Sequence, residues 1–377
     1  MHVGLISFVD IEYALDVANA LNELGISVTL YLSHARTARV VGSPDRPVER
    51  LYELKLLPPA CRVRLLHLPR MRDPRSFFLI RKLIRIIRND EVDLIHILVG
   101  PGEIWLAVLA CFLRSIPVVS TMIIPKPNVG EDLPAFVLLG VNKLLAYGSD
   151  LVIVNGEDQV GVVQKLYGLP ASRVAYVPLN PRTTSVKWAE KRNFEESGTV
   201  LFFGRAHPHK GLEYLMRAQP IISHHVPHAR IVISGYGWTL ERCRQMIQDS
   251  SKFEIHEGFV PPDVMAALFE RASLVALPYI SASTSGVLLT AYGFGKPVVA
   301  TSVGCLPEYV KDGVTGLLVP PCDVEKLADA IIRLLSDDVL RHRMGDNAAA
   351  WVYEQQENVA LQTQWAYERV IAIHRKI

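Results

Sequence analysis

"VLFFGRAHPHKGLEYL", residues 200–215, is the stretch whose reading decides the fold. Four residues, three of them bulky and apolar beside a second phenylalanine, end at Gly204; a polar turn follows, and Leu212 and Leu215 open a helical spacing. The order is strand, turn, helix. Gly204 lets the backbone turn sharply where a side chain would interfere. Arg205 stands at the C-terminal end of the strand and Lys210 at the entry to the helix. Two cations converging on one strand end, beside the positive N-terminus of a helix, can hold a diphosphate without a metal. Two surface cations in a polar loop are the plainer reading, and this stretch alone does not separate the two.

The same alternation runs along the chain. Short apolar runs at 3–6, 28–32, 63–66, 94–98, 118–124, 151–154 and 174–177 are separated by helical periodicities. The alternation restarts at 200–203 and continues at 231–234, 253–256, 274–277, 298–301 and 317–319. Nearly continuous apolar strands alternating with helices predict parallel sheets covered on both faces. The segment 180–198 is polar and without a clear period, which makes it the candidate linker. The expected architecture is α/β: two Rossmann-like doubly wound domains facing a cleft, at 1–183 and 184–357. A last helix at about 358–377, with Leu361, Trp365, Val370 and Ile373 as its apolar positions, is expected to pack back on the first domain. Ligands of such sheets sit at the C-terminal ends of the strands.

A chain of 377 residues, half of them hydrophobic, exceeds one ordinary core. With 21 % charged residues and a net charge of +2, it has neither the composition of a disordered chain nor that of a nucleic-acid binder. Five scattered cysteines form no CxxC pair and no Cys/His cluster, which suits a reducing cytosol and argues against a metal site. The opening "MHVGLISFVDIEYALD" lacks the basic start and uninterrupted apolar run of a secretory leader. The apolar runs at 104–113 and 116–124 are too short for a membrane span and read as a buried helix and a buried strand. The first strand is followed by "SFVDIEY" rather than GxGxxG, so a nicotinamide dehydrogenase is not expected and no cofactor is implied.

Charge is uneven. Residues 50–88 carry eleven Lys/Arg against Glu53 and Asp73. Within them, "FFLIRKLIRIIR" places Arg81, Arg85 and Arg88 on one side of a helix and Ile80, Leu83, Ile84 and Ile87 on the other. A solvated basic face is one reading; a face that meets anionic lipid head groups or an anionic acceptor is the other. The expected location is cytoplasmic, at the inner face of the membrane on the second reading.

A hydroxyl-rich turn, Ser283-Thr284-Ser285, precedes an apolar helical run that contains Val287, Leu288 and Ala291. Hydroxyl residues there are natural N-caps, and Gly286 permits close backbone approach. The free N–H groups of the helix start make a ready anion site.

The segments "FFGRAHPHKGLEYLMRA", "ISGYGWTLERC", "EGFVPPDVMAALFERASLVALPY" and "GKPVVATSVGCLPEYVKDGVTGLLVPPCDVEKLADAI" occur in that order. Together they resemble the donor domain of the retaining, family-4-type glycosyltransferases of GT-B fold. The resemblance is strong over 200–345 and weaker over 1–180, where "DLIH" (93–96) and the order of elements match. It implies transfer of a hexosyl or pentosyl group from a nucleotide-diphosphate sugar to a hydroxyl acceptor, with retention, in polysaccharide or glycolipid assembly. Partners would be the nucleotide sugar and a glycan or lipid-linked acceptor, with no metal and no nucleic acid. The family's paired Arg and Lys match Arg205 and Lys210, which would hold the diphosphate and stabilise the leaving group. Gly204, Gly235 and Gly237 match its turns, Phe259 and Val260 its nucleobase region, and Ser283, Thr284, Ser285, Gly286, Val287 and Thr290 its donor helix. His96 matches the family only through its strand; it is a candidate on the acceptor side and equally a core histidine.

Several positions depart from the family. Its two glutamates, eight positions apart, align with Ala282 and Thr290. Its glycine pair after the first strand is missing, and Met122 and Ile123 stand where a histidine is usual. The expectation is a working diphosphate site with a looser grip on the ribose, since one hydroxyl replaces a carboxylate. A catalytically degenerate homologue that binds a nucleotide sugar or a partner enzyme is the alternative. A nucleotide-sugar epimerase on the same fold fits less well, because no acid/base set is found.

Overall fold

The computed structural model describes residues 1–68, 76–99, 103–113, 115–128, 130, 134–189 and 194–374. The chain forms two compact units. One comprises Met1–Pro127, Leu133–Asn180 and Gln356–Ile377, the other Asn128–Asp132 and Pro181–Gln355. The boundaries fall three residues before the expected 183/184 and two before the expected 357/358.

The first unit holds β1 (His2–Ser7), β2 (Ser27–Ser33), β3 (Arg62–Leu66), β4 (Leu94–Val99), β5 (Val118–Met122), β6 (Leu151–Val154) and β7 (Val174–Tyr176). They pair in the order β3-β2-β1-β4-β5-β6-β7, every pair parallel. The second holds β8 (Thr199–Phe203), β9 (Arg230–Gly235), β10 (Phe253–Glu257), β11 (Leu274–Leu277), β12 (Val298–Thr301) and β13 (Gly316–Val319). Their order is β10-β9-β8-β11-β12-β13, again parallel throughout. Each sheet therefore reverses direction of growth once, beside its first strand, which is the doubly wound order. The run expected to extend to 124 stops as a strand at Met122. Helices cover both sheets. Phe202, Ile233 and Leu274 meet Leu215, Ile222 and Leu334 in the core of the second unit. Ile6, Ile95 and Ile97 meet Leu109 and Leu145 in that of the first.

Two expectations are corrected. The last helix is a single 37-residue element, Asp338–His374, that starts twenty residues before the expected position. The segment 180–198 is no loose linker, although its residues 190–193 lie outside the described ones. Pro181, Thr184, Ser185 and Trp188 are buried, and Thr183–Val186 forms a short helix. Glu195 reaches into a buried charge cluster, 2.8 Å from Arg341 and 3.5 Å from Lys296. Arg341 is only 2 % exposed. Burial holds the Lys296 ammonium below its usual range, against the pull of Glu195. The neighbouring Glu196 pairs with Arg271 at 2.8 Å.

His96 is the third residue of β4, paired with Leu5 on one side and Val119 on the other. Its ring is 3 % exposed, with Nδ1 2.6 Å from the Tyr367 hydroxyl and Nε2 2.7 Å from Thr121 Oγ1. Burial lowers its pKa to about 3, so the imidazole is neutral. Both nitrogens are engaged inside the core, the arrangement of a core histidine.

The basic stretch is partly structural. Arg64 pairs with the buried Asp90 at 2.6 Å and Arg50 with Glu53 at 3.3 Å. Residues 70, 72, 73 and 75 lie outside the described ones. Helix Ser76–Asn89 buries Ile80, Leu83 and Ile87 and exposes Arg81, Lys82, Arg85 and Arg88. Phe78, on the same helix, is 69 % exposed.

Glu195 supplies the acid of its cluster. Glu195→Gln leaves two buried cations without it and is expected to cost about 3 kcal/mol, at the low end for breaking a buried pair because Asp338 still holds Arg341. Urea unfolding measures it, and a change below about 0.5 kcal/mol, the surface range, would refute the clamp.

Candidate functional site

The switch point of the second sheet lies between β8 and β11, so the residues after these strands form its natural ligand crevice. Backbone hydrogen bonds tie the exit loops together. Gly204 N–H donates to Ser234 O at 2.9 Å and Ala206 N–H to Tyr236 O at 2.7 Å, continuing the β8/β9 ladder past the strand ends. Gly258 N–H, after β10, donates to Gly235 O at 2.9 Å. Across the switch point, Ile280 N–H donates to His209 O at 2.8 Å. Gly235 has φ +148°, and a Cβ there would run into the Gly204 carbonyl. The glycine at 235 is therefore what lets the two exit loops touch.

On this frame sit the charged groups. Pro208–Lys210 forms one 3-10 turn. It places the Lys210 ammonium over the ring of Tyr279, 3.7 Å from the centroid. Tyr279 is buried, and its hydroxyl lies 3.2 Å from Ser285 Oγ. Ser285 is the N-cap of helix Gly286–Gly293 and accepts a hydrogen bond from Leu288 N–H at 3.3 Å. A chain of contacts thus runs from Lys210 through Tyr279 to the helix N-terminus. Gly204, next to half-buried Arg205, faces the same helix start, since a Cβ on it would lie 3.6 Å from Val287 Cγ2. The arrangement brings the Lys210 ammonium and, with Arg205 following Gly204 in sequence, the backbone N–H groups of a helix start toward one place, which is the chemistry of a phosphate site.

The remaining expected residues fall around this centre. Ser283 is buried and Thr284 half-buried in the loop before the cap. Thr290 is buried, and its hydroxyl donates to the Gly286 carbonyl one turn back at 3.0 Å. That bond turns the hydroxyl onto its own helix and leaves only lone pairs for a ligand. Gly235, Gly237, Phe259 and Val260 lie in the exit loops of β9 and β10.

Three features were not read from the sequence. Tyr279, two residues past the end of β11, seats Lys210. Tyr236 and Trp238 are 52 % and 63 % exposed and, with Phe259 at 46 %, put three open aromatic surfaces in the β9 and β10 exit loops. The aromatic residues inside "GYGW" were the available signal. Arg182, in the polar segment 180–198, lies against Gly286. Its local sequence carries no signal, because the contact is made across 104 residues.

The profile "Glycosyltransferase Family 4" matches residues 12–179, and "Glycosyl transferases group 1" matches 197–337. The chain belongs to the family-4-type glycosyltransferases of GT-B fold. Among its relatives, an uncharacterised glycosyltransferase of Methanocaldococcus jannaschii is 32 % identical over 244 residues, covering 60 % of this chain and 61 % of that protein. D-inositol 3-phosphate glycosyltransferase of Corynebacterium glutamicum is 30 % identical over 223 residues, 54 % and 53 % of the two chains. The chain therefore spans less than two thirds of the length of these relatives. Among solved structures, sucrose-phosphate synthase of Thermosynechococcus elongatus shares the fold at TM-score 0.71 and 21 % identity, covering 99 % of this chain and 100 % of that one. The Anabaena protein HepE, solved with UDP-glucose, does so at 0.67 and 18 %, covering 97 % and 98 %.

The glycosyltransferase exit loops depend on the contact at Gly235. Gly235→Ala is expected to destabilise the protein by about 1–3 kcal/mol, the cost of overpacking. Chemical denaturation reads this cost, and unchanged stability would show that the loops do not need the contact.

Proposed function

We propose that the protein transfers a sugar from a nucleotide-diphosphate sugar to a hydroxyl acceptor. The observation that carries this reading is the convergence at the β8/β11 switch point of the Lys210 ammonium and the capped start of helix Gly286–Gly293, with Arg205 one residue beyond Gly204. In this reading the diphosphate lies over that helix start. When the bond from the sugar to the diphosphate breaks, its electron pair goes to a phosphate oxygen. Arg205, Lys210 and the Gly286 and Val287 N–H groups stabilise the charge that collects there. The nucleobase lies toward Gly258–Val260, where Phe259 and Tyr236 offer aromatic faces. Ala282 and Thr290 leave the ribose with a weaker grip than a carboxylate would give. Retention, and a hexosyl or pentosyl donor, are what the family resemblance implies. M. jannaschii and C. glutamicum relatives named as glycosyltransferases support sugar transfer over a merely structural role.

Thermal shift against UDP-, GDP- and ADP-sugars, followed by a hydrolysis assay on those that bind, tests the reading. Arg205→Ala or Lys210→Ala should lose about 1.5–3 kcal/mol of donor affinity or transition-state stabilisation, the range for charged hydrogen bonds. Unchanged binding in both variants would remove the site assignment. Binding without hydrolysis or transfer to any acceptor would favour the degenerate homologue.

For the acceptor we propose a glycan or lipid-linked glycan met at an anionic membrane face. The exposed cations Arg81, Lys82, Arg85 and Arg88, with the exposed ring of Phe78, support peripheral binding by this helix. Among the described residues, no helix is long and apolar enough to cross a membrane. Co-sedimentation with vesicles should then require acidic lipid, weaken as salt rises, and be lost when Arg81, Arg85 and Arg88 become Glu. Equal binding to neutral and acidic vesicles would contradict it.

A further inference from the structure

Arg182 precedes the short helix Thr183–Val186, which packs along helix Gly286–Gly293. The packing is close at both ends. A Cβ on Gly293 would lie 3.1 Å from Val186 Cγ2 and 3.4 Å from the Arg182 carbonyl oxygen. At the other end a Cβ on Gly286 would lie 3.1 Å from one terminal guanidinium nitrogen of Arg182 and 3.3 Å from its Nε. The guanidinium is thus laid against the first residue of the capped helix. Its Nε is shielded from solvent.

We infer that Arg182 is a third cation of the donor-phosphate site, binding the diphosphate of the nucleotide sugar at the start of helix Gly286–Gly293. This inference rests on the donor-site reading above and adds to it a residue from outside its motifs. Three contacts surround the same helix start: Gly204, beside Arg205, faces Val287; Tyr279, under Lys210, reaches Ser285; Arg182 faces Gly286. A guanidinium has only donors, and its forked N–H groups match phosphate oxygens in pairs. Thr290 lies one turn below Gly286 on the same helix face, with its hydroxyl bonded to the Gly286 carbonyl. In the family a glutamate stands at that position; a carboxylate there, one turn from the guanidinium, would compete with a phosphate for Arg182. With threonine, that competing carboxylate is absent from the helix. The grip moves from the ribose toward the diphosphate, and the ligand class this selects is a nucleoside diphosphate in preference to a nucleoside monophosphate.

The test uses the full chain and whichever of UDP, GDP and ADP binds it, with the matching monophosphate as the second probe. Isothermal titration is run on the wild type, Arg182→Gln, Arg182→Lys and Arg205→Ala. Arg182→Gln should weaken the diphosphate about tenfold or more, as expected for one charged hydrogen bond, and the monophosphate less than about threefold. Arg182→Lys should recover part of the loss, because the charge returns without the fork. The melting temperatures without ligand show whether each variant is folded, and the lysine variant serves if the glutamine one is not. Diphosphate affinity unchanged in both Arg182 variants, with a loss in Arg205→Ala, would overturn the role of Arg182 and leave the donor site standing. Equal losses for the two nucleotides would overturn it too, because a merely structural arginine would not distinguish them. Wild-type affinity in all variants, Arg205→Ala included, would overturn the donor-site reading itself and this inference with it.

Discussion

The second unit turns on one contact across its switch point. The exit turn of β8 presents the His209 carbonyl to Ile280 N–H, just past β11, and lays the Lys210 ammonium on the Tyr279 ring. A cation on a buried aromatic face is attracted by about 1 kcal/mol, enough to fix a flexible side chain that would otherwise sweep through solvent. Tyr279 then passes the constraint to Ser285, and Ser285 to the helix it caps. The position of Lys210 relative to this helix start is therefore set by the buried Tyr279 and Ser285.

The sheet order makes this contact available. Because β8 sits in the middle and the chain leaves it first to one side and later to the other, the helices after β8 and β11 lie on opposite faces. Their N-termini diverge at the crevice. The loops of β9 and β10 close one flank through the ladder from Gly204 to Tyr236 and the bond from Gly258 to Gly235. The segment 181–188 closes another by lying along helix Gly286–Gly293.

Much of this was legible in the sequence. Among the described residues the central strands fall on apolar runs, because a strand buried on both faces has no other composition open to it, whereas the edge strands β3 (RVRLL) and β10 (FEIHE) carry charged residues. Gly204, Arg205, Lys210 and Ser285 were legible because each acts locally, as a turn, a strand-end charge or a cap. What was missed depends on contacts distant in sequence. The long helix Asp338–His374 is legible only in its last part, because Gly345 and Asn347 are poor helix formers in its first third and its buried stripe shifts from Leu340, Met344 and Ala348 to Val359, Thr363 and Val370. His96 reads as a polar group at a strand end until Tyr367 arrives from 271 residues away to take its Nδ1. Glu195 looked like linker acidity because its cationic partners lie 101 and 146 residues further on.

The central claim is that the start of helix Gly286–Gly293, ringed by Arg205, Lys210 and Arg182, is the seat of the donor's diphosphate. A crystal structure of the chain with the nucleoside diphosphate that binds it tests this most directly. The account predicts phosphate oxygens within about 3.2 Å of the Gly286 and Val287 N–H groups and of the Arg205 and Lys210 side chains. A nucleotide whose phosphates lie elsewhere, with this helix start in contact with solvent alone, would contradict it.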